Sequence, residues 1–303
     1  MLFAGTSHPE LAEQIGKGLK VSLGKAHIET FPDGEIGVRI LESVRGQDVF
    51  VMQSIAHDPN FYLMELLILI DALKRASARS INVLLPYFGY ARQDRRGRLR
   101  EPITAKLVAD LLEKAGATRI VTMDLHTEQI QGFFDIPVDN LYARPVLSKA
   151  IAAMQVEDLV VVTPDVGSIK LARSYAETLK VSLAIVDKRR DGAQVEAGPL
   201  IGDVRGKSVL LVDDIFSTGE TLRAASRACK QAGAKKIYAA VTHGLFVGRG
   251  LEGSEIEKMV IANTVATKSD RDQKKIHTVS VAPLFAMAIE SIIGSTSLSS
   301  FYE

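Results

Sequence analysis

Residues 209–221 read VLLVDDIFSTGET. The apolar run Val209–Val212 has the make-up of a buried strand. It meets two acids, Asp213 and Asp214, then the small and hydroxyl residues Ser217, Thr218 and Gly219, and a helical pattern opens near Glu220. Strand, small-residue loop and helix start in that order build an anion site, because the first N–H groups of a helix lack internal partners. Ser217 and Thr218 offer hydroxyl donors, Gly219 allows close approach, and Thr221 can cap the helix and touch the anion. Acids at the carboxyl end of a parallel strand lie where α/β proteins bind ligands. Asp213 and Asp214 could therefore grip sugar hydroxyls while the loop holds a phosphate. An ordinary capped turn is the plain alternative.

Outward from that stretch, short apolar runs alternate with helical patterns. Strands are expected at Val49–Gln53, Ile81–Leu85, Arg119–Met123, Leu159–Thr163, Leu183–Val186, Val209–Val212 and Ile237–Val241. Helices are expected at Tyr62–Ala76 and Ala105–Ala115, the second with Leu107, Val108, Leu111, Leu112 and Ala115 on one face. This alternation predicts an α/β fold with mainly parallel sheets flanked by helices. Residues 114–126, KAGATRIVTMDLH, also lie over residues 231–243, QAGAKKIYAAVTH. Thr104 then falls on Thr221 and His126 on His243. Two related domains follow, 1–145 and 146–303, the second carrying the loop.

Composition narrows the function. The chain has 303 residues, is 47% hydrophobic and carries a net charge of +1, which argues against a general nucleic-acid binder. Its one cysteine, Cys229, excludes an internal disulfide and suits a reducing cytoplasm. The opening residues Met1–Gly5 are too short for a signal core, and the run Leu66–Ile70 between Glu65 and Asp71 is too short for a membrane span. A cytoplasmic protein is expected.

Five further segments carry chemistry. Asp165, in Thr163–Ser168 after a strand, could hold a divalent cation or cap the helix that follows. In Asp124-Leu125-His126 an extended backbone would turn Asp124 and His126 to the same side, as cation ligands or as structural groups. The run from Asp187 to Gly192 sets Lys188, Arg189 and Arg190 together, a solvated turn or a clamp on a transferring phosphoryl group. Residues 92–100, RQDRRGRLR, contain five arginines without aromatic interleaving, which favours a polyphosphate site or a subunit contact over nucleic acid. Phe31-Pro32-Asp33-Gly34-Glu35 reads as a turn whose ring could stack on a base.

Taken together, these segments resemble the ribose-phosphate pyrophosphokinase family over nearly the whole chain. FPDGEIGVRI (31–40), MELLILIDALKRASA (64–78), PYFGYARQDRRGRLREPITAKL (86–107) and DLHTEQIQGFFDIPVDNLYA (124–143) carry the resemblance, with DKRR (187–190) and the 213–221 loop. The resemblance implies transfer of the diphosphoryl group of ATP to O1 of ribose 5-phosphate, with Mg²⁺ as cofactor. It also implies two tandem type I phosphoribosyltransferase-like domains and a homo-oligomer, a hexamer built from dimers. By motif, Phe31, Asp33, Gly34, Glu35, Arg92 and Gln93 would bind ATP, the first set across a dimer interface. His126 and Asp165 would contact the metal, and Lys188 and Arg190 would be the catalytic cations. Asp213, Asp214, Ser217, Thr218, Gly219, Glu220 and Thr221 would hold ribose 5-phosphate. Three positions depart from the family pattern: Val166, often His in bacterial members; Ser168, often Gly; and Glu220, usually Gly or Ala.

Overall fold

The computed structural model describes residues 1–191, 194–267 and 274–297, without the side chains of 166 and 187–199. By contacts the chain forms two units. The first comprises Met1–Tyr142, Thr264–Ala266 and the chain from Val281 onward; the second comprises Ala143–Asn263 and Thr267–Ser280.

In the first unit, strand β1 (Leu2–Ala4) leads to helix α1 (Pro9–Leu19), then to a hairpin of β2 (Ala26–Thr30) and β3 (Ile36–Ile40). Strand β4 (Asp48–Met52), helix α2 (Pro59–Arg75), β5 (Ser80–Leu85), α3 (Thr104–Ala115), β6 (Arg119–Met123) and β7 (Val138–Leu141) follow. The five-stranded sheet runs β1-β4-β5-β6-β7, every neighbour parallel, and β2-β3 is a separate antiparallel pair. Helix α2 begins before the expected Tyr62, because Asp58 caps it through the Phe61 N–H and Pro59 suits its first turn.

The second unit contains α4 (Arg144–Ala153), β8 (Leu159–Thr163), α5 (Ile169–Leu179), β9 (Ser182–Asp191), β10 (Gln194–Ile201), β11 (Ser208–Phe216), α6 (Glu220–Gln231), β12 (Lys236–Gly244), β13 (Lys258–Ala262) and β14 (Ile276–Val279). Its seven-stranded sheet runs β10-β9-β8-β11-β12-β13-β14. All pairs are parallel except β9-β10. The sequence repeat thus falls on α3-β6 and α6-β12, each strand lying beside the one that precedes its helix.

A last helix, α7 (Ala282–Ile293), belongs to the first unit, so contact and sequence divide the chain differently at its C-terminal end. It packs on α1, where a Cβ on Gly18 would stand 3.2 Å from the Ala286 Cβ. Small residues at that point let the helices approach closely.

The expected buried face of α3 needs correction. Val108 and Leu112 are buried with Ala105 and Ala109, but Leu107 and Leu111 are 55% and 39% exposed. Only part of the apolar stripe faces the sheet, and Ile103, Leu107 and Leu111 form an exposed row at four-residue spacing.

A buried polar knot fastens β1 to β4 and α2. Glu65 is 0% exposed, although it interrupts an apolar helix face. Its carboxylate accepts the Thr6 N–H and the Gln53 side-chain N–H at 2.7 and 2.6 Å, and the Thr6 hydroxyl at 2.7 Å. Gly5 leaves room for the knot, since a Cβ there would lie 2.4 Å from Gln53 Oε1. Buried donors stripped of an acceptor cost about 1–3 kcal/mol each. Glu65→Ala is therefore expected to lower the stability of the first unit by about 3 kcal/mol or more in urea unfolding. A loss below about 1 kcal/mol would show that water replaces the carboxylate.

Candidate active site

The sheet of the second unit reverses its winding between β8 and β11: β9 lies on one side of β8, while β11, β12, β13 and β14 follow on the other. Ligands of open α/β sheets bind at such a reversal, beyond the carboxyl ends of the strands. Here the neighbours separate unequally. The β8-β11 ladder ends at Val162↔Leu211, whereas β11 stays paired with β12 through Asp213↔Val241 to Phe216↔Gly244. The strand is thus longer than the apolar run Val209–Val212, and Asp213 and Asp214 belong to its one-sided extension.

Asp165 follows β8 across the opening. Its side chain accepts the Ser168 N–H at 3.2 Å and so closes the 3₁₀ turn Val166–Ser168, whereas the helix that follows has Ser168 at its N-cap position without a side-chain cap, so Asp165 caps the turn and not that helix. The Ser168 hydroxyl reaches Asp213 Oδ1 at 3.0 Å and Asp165 Oδ1 at 3.4 Å, bridging the two acids. Asp213 also accepts the Asp214 N–H at 3.1 Å. Burial first, then the Asp214 and Asp165 carboxylates, push the Asp213 carboxyl well above the ordinary range, against the lowering effect of the Ser168 hydrogen bond. This surplus of negative charge suits hydroxyl donors or a divalent cation.

The anion loop closes the other side. Gly219, at φ 77°, precedes the first turn of α6. A Cβ there would lie 2.6 Å from the Phe216 ring and 2.8 Å from the Gly250 carbonyl oxygen, so only glycine fits. The back of the loop is pinned by the Leu245 and Val247 N–H groups, which donate to the Phe216 and Ser217 carbonyls at 2.8 and 2.9 Å. The first N–H groups of α6 thus stand at a fixed helix start beside Ser217, Thr218 and Thr221. Glu220 is exposed, which suits a carboxylate directed away from an anion.

The other expected residues lie in the first unit or on β9. Phe31, Asp33, Gly34 and Glu35 form the exposed tip of the β2-β3 hairpin, closed by Gly34 N–H to Phe31 O at 2.9 Å and Glu35 N–H to Asp33 Oδ1 at 3.1 Å. Phe31 is 43% exposed. Arg92 and Gln93 are exposed on the loop before α3, where Gln93 accepts the Thr104 hydroxyl at 2.6 Å. Asp94 accepts the Thr127 hydroxyl at 2.8 Å, which ties this loop to the His126 segment. Lys188 and Arg190 lie on β9 opposite Ala197 and Val195; their side chains are outside the described part.

The same-side reading of Asp124 and His126 is corrected. Asp124 takes φ 40°, which breaks the extended alternation. Asp124 is buried and His126 exposed. No cluster of three or more His, Cys, Asp or Glu metal ligands occurs among the described residues. Ser168 and Arg223 shape the site without having been anticipated as contacts. Arg223 had a legible signal, a cation in the first turn of an anion-binding helix.

Carboxylates on one side of a switch point and a helix-start loop on the other define an α/β protein with the chemistry of a sugar-phosphate site. Comparison with known proteins narrows this class. Residues 1–116 match the family model for the N-terminal domain of ribose phosphate pyrophosphokinase, and residues 194–303 match the phosphoribosyl synthetase-associated domain. The chain is 50% identical to a ribose-phosphate pyrophosphokinase of Clostridium perfringens, covering 100% of this chain and 97% of that one. It is 48% identical to that of Bacillus caldolyticus, with coverage of 100% and 97%. A crystal structure of phosphoribosylpyrophosphate synthetase from Mycobacterium smegmatis superposes with a TM-score of 0.92 at 44% identity, over 97% of this chain and 99% of that one. The chain belongs to the ribose-phosphate pyrophosphokinase family. The expected fold class, α/β with phosphoribosyltransferase-like units, is borne out.

The raised Asp213 pKa gives a stability test. A carboxyl whose folded pKa exceeds its unfolded value favours folding while protonated, and that advantage is lost as pH rises through the folded value. Asp213→Asn is thus expected to raise the melting temperature of the ligand-free protein at pH 7 by about 2 °C or more. At pH 4, near the unfolded carboxyl value, the gain should shrink. Equal melting at pH 7 would refute the charge crowding.

Proposed function

We propose that this chain transfers the diphosphoryl group of ATP to O1 of ribose 5-phosphate, giving 5-phosphoribosyl 1-diphosphate and AMP for nucleotide biosynthesis. Family membership supports the activity, and the observation that carries the acceptor assignment is the pairing of Asp213 and Asp214 with the 217–221 loop at the β8/β11 switch point. In this reading the N–H groups and hydroxyls of Ser217, Thr218, Gly219, Glu220 and Thr221 hold the 5-phosphate. Asp213 and Asp214 accept from the ribose hydroxyls and orient the ring.

O1 attacks the β-phosphorus in line. An O1–P bond forms, the bond from the β-phosphorus to the α,β-bridging oxygen breaks, AMP leaves with that oxygen, and the O1 hydrogen departs as a proton. No enzyme nucleophile is needed, so catalysis consists of positioning and charge neutralisation. Lys188 and Arg190 are proposed to oppose charge growing on the bridging oxygen. Phe31, Asp33, Gly34, Glu35, Arg92 and Gln93 are proposed to bind ATP. Mg²⁺ would supply further neutralisation, and the crowding of acids around Asp213 fits a cation. Asp165 in the second unit and, separately, His126 in the first are its proposed contacts.

Two features support a homo-oligomer, proposed as a hexamer built from dimers: the exposed Ile103, Leu107, Leu111 row and the exposed Phe31 at the hairpin tip. A cytoplasmic setting without nucleic-acid or membrane partners agrees with the near-zero net charge. It also agrees with a buried Cys229 thiol, its pKa pushed up to about 12 by desolvation.

Incubation with ATP, Mg²⁺ and ribose 5-phosphate should yield AMP and phosphoribosyl diphosphate in equal amounts. Lys188→Ala should lower kcat by about 10²–10³-fold, the scale of losing a preorganised charge-stabilising donor, with ribose 5-phosphate binding retained. Failure of the folded wild type to form AMP would refute the activity.

The double variant Leu107→Glu/Leu111→Glu should reduce the mass seen by sedimentation. An unchanged mass would remove the α3 row from the interface.

A further inference from the structure

Arg223 lies in the first turn of α6, two residues past the proposed phosphate contacts. Its backbone N–H closes that turn on Gly219 O at 2.9 Å. Its guanidinium then reaches back in two directions. One terminal nitrogen donates to the Thr218 carbonyl at 3.1 Å and the other to the Gly250 carbonyl at 3.0 Å. Neither acceptor is a carboxylate, so the arginine is spent on backbone geometry.

That geometry matters because a trans peptide holds its C=O and N–H on opposite sides of one plane. With the Thr218 carbonyl held on the Arg223 side, the Gly219 N–H of the same peptide must point the other way. Gly219 itself cannot fix this peptide, since glycine at positive φ has wide conformational freedom. The second contact ties the peptide to Gly250, whose carbonyl already lies against Gly219. The planar fork suits such a double grip, whereas a lysine ammonium is a single flexible point charge.

We propose that Arg223 is a positioning residue for the phosphate of ribose 5-phosphate: it fixes the 218–219 peptide so that the loop N–H groups are preorganised for the anion. The inference rests on the proposed acceptor site and adds to it a residue outside the loop itself.

The test separates positioning from general support of the fold. Arg223→Ala should raise the KM for ribose 5-phosphate about 10-fold or more, while kcat at saturation and the KM for ATP change less than about 3-fold. Calorimetric binding of ribose 5-phosphate should weaken in parallel. Arg223→Lys keeps the charge but cannot span both carbonyls, and should leave the KM raised by at least about 3-fold. An unchanged ribose 5-phosphate KM in Arg223→Ala overturns the proposal, as does full rescue by lysine, which would make the effect one of charge alone. A parallel fall in kcat and both affinities overturns it in favour of a structural role. If Arg223→Ala does not fold, Arg223→Lys decides by the same KM comparison. If the wild type binds ribose 5-phosphate without forming AMP, the activity fails while the calorimetric comparison still tests Arg223.

Discussion

The site of the second unit depends on one inequality in backbone pairing. Strand β11 loses β8 after Leu211 but keeps β12 through Phe216. The retained ladder is stiff enough to present Asp213 and Asp214 at set positions. The lost ladder opens the space into which their side chains and that of Asp165 can work. Had both neighbours continued, β8 would have filled this space. Had neither, the acids would sit on a free loop, and the Ser168 bridge would have no fixed geometry to join. The reversal of winding between β8 and β11 causes the inequality, because the chain leaves β8 towards β9 on one side and returns to its other side with β11. In the first unit the sheet order β1-β4-β5-β6-β7 has no reversal.

Much of this was legible because burial writes itself into composition. Runs such as Val209–Val212 are apolar since both faces of a parallel strand are covered, and each of the seven expected strands is present. The 114–126 and 231–243 repeat was legible because equivalent α-β steps need equivalent helix exits. The loop was legible through glycine: at Gly219 a side chain is excluded by the Phe216 ring and the Gly250 carbonyl.

The rest was hidden because it depends on partners distant in the chain. The reach of β11 to Phe216 is set by β12, not by hydrophobicity, since polar residues can extend a ladder when one neighbour remains. Apolar periodicity placed Leu107 and Leu111 on α3 but could not tell a face against the sheet from one open to another surface. Glu65 looked like an interruption of an apolar helix; its acceptors serve Thr6 and Gln53, from β1's loop and the end of β4. Asp124 and His126 were misjudged because a single backbone angle reverses alternation, and Asp124 at φ 40° carries no glycine to announce it.

The second unit sets two opposite electrostatic demands on one strand-loop-helix segment. Asp213 and Asp214 gather negative charge at the strand end, while the first turn of α6 offers positive ends of N–H dipoles a few residues later. The crowded acids alone lack a donor, and burial with the neighbouring carboxylates holds the Asp213 carboxyl above its ordinary range. A sugar phosphate answers both, with hydroxyl donors at one end and a dianion at the other. A free phosphate leaves the acids unanswered, and a neutral sugar leaves the helix start unanswered. Discrimination in favour of the phosphorylated sugar would then come from the order of residues in the chain: acids before the loop, N–H groups after it, and a glycine between them that lets the backbone turn within its own width.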